Sequence, residues 1–159
     1  MTLLVFFIIF KQFEVGENWS NPDFSQKVTI TIMVKEKKKS VLIIDADQTI
    51  LDGLSKRFKK QGMLVITAKD GYEGYTRACN EDPDYIICEI LMPSMNGFRI
   101  SRLIKFDERY KQKKFILMTS NDPNFSMDLC KQCRANSIIK KPFRFSHLLE
   151  KIEVEDLAA

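Results

Sequence analysis

From Ser40 onward, short apolar runs alternate with apolar positions at helical spacing. Val41, Leu42, Ile43 and Ile44 form a continuous apolar run that ends in acids. Ile50, Leu51, Leu54 and Phe58 then recur at helix period, and Gly62 closes that helix. The same rhythm predicts a second strand over 63–67, a helix over 71–80 with Pro83 beyond it, and a third strand over 85–88. A helix over 98–106, a fourth strand over 115–118 and a helix over 124–134 follow. A short fifth strand covers 137–140, and Phe145, Leu148, Leu149 and Ile152 mark a last amphipathic helix. Strands that are apolar throughout, rather than at every second position, are buried on both faces. Five β–α units of this kind predict an α/β fold: a parallel sheet covered by helices on both sides, with right-handed crossovers.

Before Ser40 the pattern changes. Residues 3–10 are an apolar run too short to span a bilayer. No basic residue precedes it and no clear small-residue cleavage site follows, so a signal peptide is not expected. The stretch from Asn18 through Trp19 to Pro22 is turn-rich, and residues 28–32 alternate like a strand. Met33 stands just before a lysine-rich leader, which suggests that translation starts there and that residues 1–32 are not native protein. A membrane-associating tail and an added edge strand are the competing readings. The expected organisation is an N-terminal extension or linker over 1–38, one folded domain over 39–153 and a tail over 154–159.

Composition sets the class. Hydrophobic residues make up 45% of the 159-residue chain and charged residues 29%, which excludes a disordered polymer. The net charge of +4 is concentrated in lysine-rich runs at 35–39, 56–60 and 111–114. Such runs read as solvated faces or linkers, so neither nucleic acid nor membrane is expected as a partner. The four cysteines are Cys79, Cys88, Cys130 and Cys133. Cys88 falls in an apolar strand and reads as a small core residue. The lone Cys130–Cys133 CxxC pair falls late in a helical stretch rather than at a strand-to-helix junction, and the single histidine, His147, lies in the last helix. Packing is therefore preferred over redox or metal use, and with no disulfide framework a cytoplasmic location is the default.

In an open parallel sheet, reacting groups gather outside the carboxyl ends of the strands, where the strand order reverses. The polar residues at those ends are Asp45 and Asp47 after the first strand, Glu89 at the third, Thr119 at the fourth and Lys141 after the fifth. Each has a bland reading taken alone: Asp47 or Thr119 as a helix cap, Lys141 as a surface amine. Jointly they place two or three carboxylates, a hydroxyl and an amine in one crevice.

In order along residues 39–153, these pieces resemble the receiver domain of bacterial response regulators. The resemblance rests on Val41 through Asp45, Gly71-Tyr72-Glu73, Pro83-Asp84, Met92-Pro93-Ser94-Met95-Asn96-Gly97, Thr119, Ala135 and Lys141-Pro142-Phe143. It implies a flavodoxin-like, doubly wound five-stranded sheet of order 2-1-3-4-5. It also implies Mg²⁺-assisted phosphorylation of an aspartate at the end of the third strand, followed by movement of the threonine and of an aromatic residue. The face made by the fourth helix, fifth strand and fifth helix would then bind a partner. The Lys141–Pro142 bond is expected to be cis, an isomer that only proline adopts cheaply.

The chain departs from that pattern where the chemistry lies. Glu89 stands at the phosphoacceptor position, Ala46 where a second acid would bind Mg²⁺ directly, and Ile138 where the switch aromatic is usual. Gly74 and Arg134 replace a common alanine and glycine. Mg²⁺ requires near-octahedral oxygen ligands at about 2.0–2.1 Å, so Ala46 leaves a site that is weak or absent, with Asp45, Asp47 and Glu89 its only candidate ligands. Glutamate reaches roughly 1.5 Å further than aspartate, whereas reacting groups need placement within about 0.5 Å. Phosphoryl transfer depends on positioning and on charge neutralisation by metal, and both are impaired. The longer carboxylate is expected to pair with Lys141 and to accept a hydrogen bond from Thr119.

The resulting expectation is a non-catalytic, stand-alone signalling module that needs no cofactor and binds a histidine kinase or a downstream effector. The contact face would include Lys131, Ile138, Lys140 and Arg144, with a homodimer through the same face as a variant. The alternative is a phosphoryl-accepting receiver that uses Asp45, Asp47 or Glu89.

Overall fold

The computed structural model describes residues 38–122 and 127–153. The apolar run at 3–10, the alternating stretch at 28–32, Met33 and the tail at 154–159 lie outside the described residues. The elements alternate along the chain. They are β1 (Ser40–Ile44), α1 (Gln48–Lys60), β2 (Leu64–Ala68), α2 (Gly71–Glu81), β3 (Tyr85–Glu89), α3 (Gly97–Phe106), β4 (Lys114–Thr119), α4 (Met127–Gln132), β5 (Ser137–Lys140) and α5 (Phe145–Glu153). All strand pairs are parallel, in the order β2-β1-β3-β4-β5 that the resemblance implied. Predicted boundaries shift by a residue or two, because terminal turns fray and caps rather than periodicity set the ends. The exception is α4, whose described part stops at Gln132 because Arg134 adopts a left-handed φ of 57°.

The continuous apolar strands divide their side chains between two layers, since successive residues point to opposite faces. Leu42 and Ile44 of β1 pack with Ala78, Ile100, Ile104, Phe115, Cys130 and Cys133 on the α2–α4 side. Val41 and Ile43 pack with Leu51, Leu54, Phe58, Leu148 and Ile152 on the α1–α5 side. Full burial of each such aliphatic side chain is worth roughly 1.5–3 kcal/mol, so sheet and helices stabilise one another. Cys130 and Cys133 are free and buried in the first layer, and the Cys133 thiol donates to the Cys130 carbonyl at 3.2 Å.

Register fixes what meets at the top of the sheet. Ile44 lies opposite Ala68 and Cys88, Glu89 opposite Met118, and Thr119 opposite Lys140. The carboxyl ends of β1, β3, β4 and β5 are therefore nearly flush. Asp70 and Asn96 cap α2 and α3 by accepting hydrogen bonds from Tyr72, Glu73 and Arg99 amides. The loop after β3 is held by close backbone approach. The Gly71 amide donates to the Pro93 carbonyl, and a Cβ on Gly71 would meet the Met95 carbonyl oxygen. Gly97 donates to the Ile90 carbonyl at 2.9 Å, and a Cβ there would lie 2.6 Å from the Glu89 carbonyl oxygen.

Candidate functional site at the carboxyl ends of the strands

Asp45 leaves β1 with its amide bonded to the Ala68 carbonyl at 3.1 Å, which points its carboxylate into the crevice beside β3. One oxygen, Oδ1, accepts from the Asp47 amide at 3.0 Å. The other, Oδ2, accepts from Lys141 Nζ at 2.5 Å. Glu89 ends β3 and is buried. Its Oε1 accepts from the amides of Ile90 at 2.7 Å and Leu91 at 3.2 Å. Its Oε2 lies 2.6 Å from Lys141 Nζ. A single ammonium thus joins two carboxylates, and every oxygen of both acids has a partner within this chain.

Lys141 reaches this place because β5 delivers it: its amide donates to the Thr119 carbonyl at 2.7 Å, and the bond to Pro142 that follows is cis. Its side chain is 15% exposed. Burial alone would push the ammonium down in pKa, but the hydrogen bonds and charges of Asp45 and Glu89 outweigh this and hold it above its ordinary value. Burial next to these acids pushes the Cys88 thiol well up, with the charges of Glu89 and Asp45 adding to the effect. The thiol stays neutral.

Two of the expected contacts differ. Thr119 is buried, but it makes no hydrogen bond to Glu89; its hydroxyl oxygen accepts from the Asn121 amide at 3.1 Å. The Glu89 carboxylate folds back onto the amides of its own loop, a nearer set of donors. Asp47 is exposed and caps α1, with its carboxylate accepting from the Thr49 amide at 2.8 Å, which lowers its pKa. Cap geometry at the start of α1 therefore takes the side chain that was a candidate for the acidic pocket. Ala46 is exposed and brings no oxygen. Among the described residues, no group of three or more His, Cys, Asp or Glu side chains is arranged to hold a metal ion. The Ile90 and Leu91 amides are the part of the site that side-chain reading missed, since a main-chain donor leaves no mark in the sequence.

A family model for the response regulator receiver domain matches residues 41–153. The chain belongs to this family. Among curated receiver proteins, it is 30% identical to protein PilG of Pseudomonas aeruginosa, over 71% of this chain and 84% of that protein. Protein PilH of the same organism is 30% identical over 70% of this chain and 93% of its own. Among solved structures, the chemotaxis response regulator CheY4 of Vibrio cholerae superposes with a TM-score of 0.69 at 27% identity, covering 74% of this chain and 98% of that one. The carboxylate–ammonium cluster thus sits in the crevice of a receiver domain of two-component signalling, a family of modules that exchange signals with other proteins. Ile138 lies on β5 opposite Leu117 and is half-buried, whereas Lys131, Lys140 and Arg144 are exposed. Among the described residues, no helix is long and apolar enough to cross a membrane.

Proposed function

We propose that this receiver domain is held in one state by a resident charge cluster and signals by binding a partner protein, not by accepting a phosphoryl group. The observation that carries this reading is Lys141 Nζ set between Asp45 at 2.5 Å and Glu89 at 2.6 Å, with the other Glu89 oxygen on two backbone amides. A phosphoacceptor needs a free carboxylate oxygen and a metal to neutralise the arriving charge. Both Asp45 and Glu89 have both oxygens engaged, Asp47 is committed to its helix, and Ala46 supplies nothing. This donor set does not fit Mg²⁺. Glu89 also leaves Thr119 with Asn121, the arrangement expected without a phosphoryl group. The cluster performs no bond-breaking chemistry; it sets the shape of the crevice.

The partner is a signalling protein, a kinase or an effector. The face of α4, β5 and α5 suits it, because Lys131, Lys140 and Arg144 are exposed there around the half-buried aliphatic Ile138. The same face is available to a second copy of the chain.

The test is intact mass after incubation with acetyl phosphate and Mg²⁺, for the wild type and for the double variant Ala46→Asp/Glu89→Asp. The variant is expected to gain one phosphoryl group and the wild type none. Phosphoryl mass on the wild type would overturn this reading in favour of a receiver that accepts phosphate on non-standard acids, with peptide mapping to separate Asp45, Asp47 and Glu89.

A further inference from the structure

The outer stripe of α3 carries a basic and apolar surface that the charge cluster does not use. Arg99, Arg102, Leu103 and Phe106 recur at helical spacing and face outward, while Ile100 and Ile104 between them are buried. Leu103 is 40% exposed and Phe106 49%. They line a shallow, open surface cleft together with Arg99, Arg102 and Asp107. Arg134 arrives from the turn after α4 and lays its guanidinium 4.2 Å from the centre of the Phe106 ring, with that of Arg102 at 5.7 Å.

Three features give this surface a direction. Among the described residues, no carboxylate pairs with Arg99, Arg102 or Arg134. The acid at the rim, Asp107, is already taken by Arg109, whose Nη2 and Nε donate to it at 2.7 and 3.1 Å. Arg134 holds φ at 57°, a conformation that costs a non-glycine residue energy, so its side chain is placed there against the backbone's preference.

We propose that this surface docks an acidic segment of a partner protein, one that carries aspartate or glutamate around a single apolar side chain. Guanidinium forks grip carboxylates in pairs, and stacking on Phe106 pre-orients two of them. Leu103 and the exposed edge of Phe106 receive the apolar side chain. Nucleic acid fits less well, because a base needs an open aromatic face and Arg134 already covers this ring. The surface centres on α3, adjoins the α4–β5–α5 face at Arg134, and does not rest on the state of the Glu89 cluster.

The test uses the full chain and a fluorescent peptide, Asp-Glu-Leu-Glu-Asp-Glu, with two controls: the same peptide with serine for leucine, and a hexameric oligothymidylate. The leucine peptide is expected to bind, to weaken as salt rises, and to shift the backbone amide NMR signals of Arg102, Phe106 and Arg134. Arg134→Gly is expected to weaken it about tenfold, as loss of one charge-assisted contact should. The same variant should unfold at higher urea, because glycine relieves the left-handed strain. That opposite movement separates lost docking from lost folding. The proposal fails if the peptide does not bind, if Arg134→Gly and Arg102→Gln leave its affinity unchanged, or if the oligothymidylate binds the same residues more tightly.

Discussion

Glu89 differs from an aspartate by one methylene, and the geometry shows where the extra length goes. The carboxylate folds back to take the Ile90 and Leu91 amides and presents its second oxygen to Lys141. Lys141 is then the residue on which the cluster depends, because without it two buried carboxylates face each other uncompensated. Lys141→Met is expected to cost about 3 kcal/mol, in line with the loss of one partner from a buried ion pair. The pH dependence has a definite sign. The folded pKa of Lys141 lies above its unfolded value, so its contribution is complete below about pH 10.4 and fades as pH rises through the folded pKa. Urea unfolding of wild type and variant should therefore show a full difference at neutral pH that narrows on the strongly alkaline side. A difference that stayed constant to high alkali would mean that Lys141 does not stabilise through its charge.

At the scale of elements, the loop between β3 and α3 aims Glu89, and glycine makes that loop possible. A Cβ at Gly97 would stand 2.6 Å from the Glu89 carbonyl oxygen, which is backbone and cannot swing aside, and 3.0 Å from Leu117 Cδ2. Gly53, in the middle of α1, meets nothing within 4 Å and is exposed. The same substitution should act in opposite directions at the two positions. Gly97→Ala is expected to lose about 1–3 kcal/mol through overpacking. Gly53→Ala is expected to gain roughly 0.5–1 kcal/mol by stiffening the unfolded chain and favouring helix. Chemical denaturation of both variants checks this. Equal effects would show that the loop gives way and accommodates a side chain at position 97.

For the folded domain as a whole, the sheet is a common wall between two apolar layers. Phe58 is fully buried on the α1–α5 side and Ile104 on the α2–α4 side. Since β1, β3 and β4 contribute to both, the layers should unfold together. Phe58→Ala is expected to cost about 3–5 kcal/mol and Ile104→Ala about 2–5. Each should move one far-ultraviolet circular dichroism transition without splitting it. Two resolved transitions in either variant would show that one layer survives without the other.

Hydrophobic rhythm alone determined the order of strands and helices, because a strand buried on both faces and a helix buried on one write different periods into the chain. It also determined that Asp45, Glu89, Thr119 and Lys141 gather at one end of the sheet, since parallel strands put their carboxyl ends on the same side. The departures at Ala46 and Glu89 were equally visible, being matters of residue type. The pairing of Glu89 with Lys141 was expected from the residue types as well, and only tertiary structure decided the rest of the connections. Lys141 bridges two acids that lie 44 residues apart in the sequence. Asp47 turns to its own helix and Thr119 to Asn121, because the nearest donor is set by loop path and not by sequence pattern. The stacking of Arg134 on Phe106 was likewise invisible, because it joins a helix stripe to a distant turn through a φ value that no periodicity encodes.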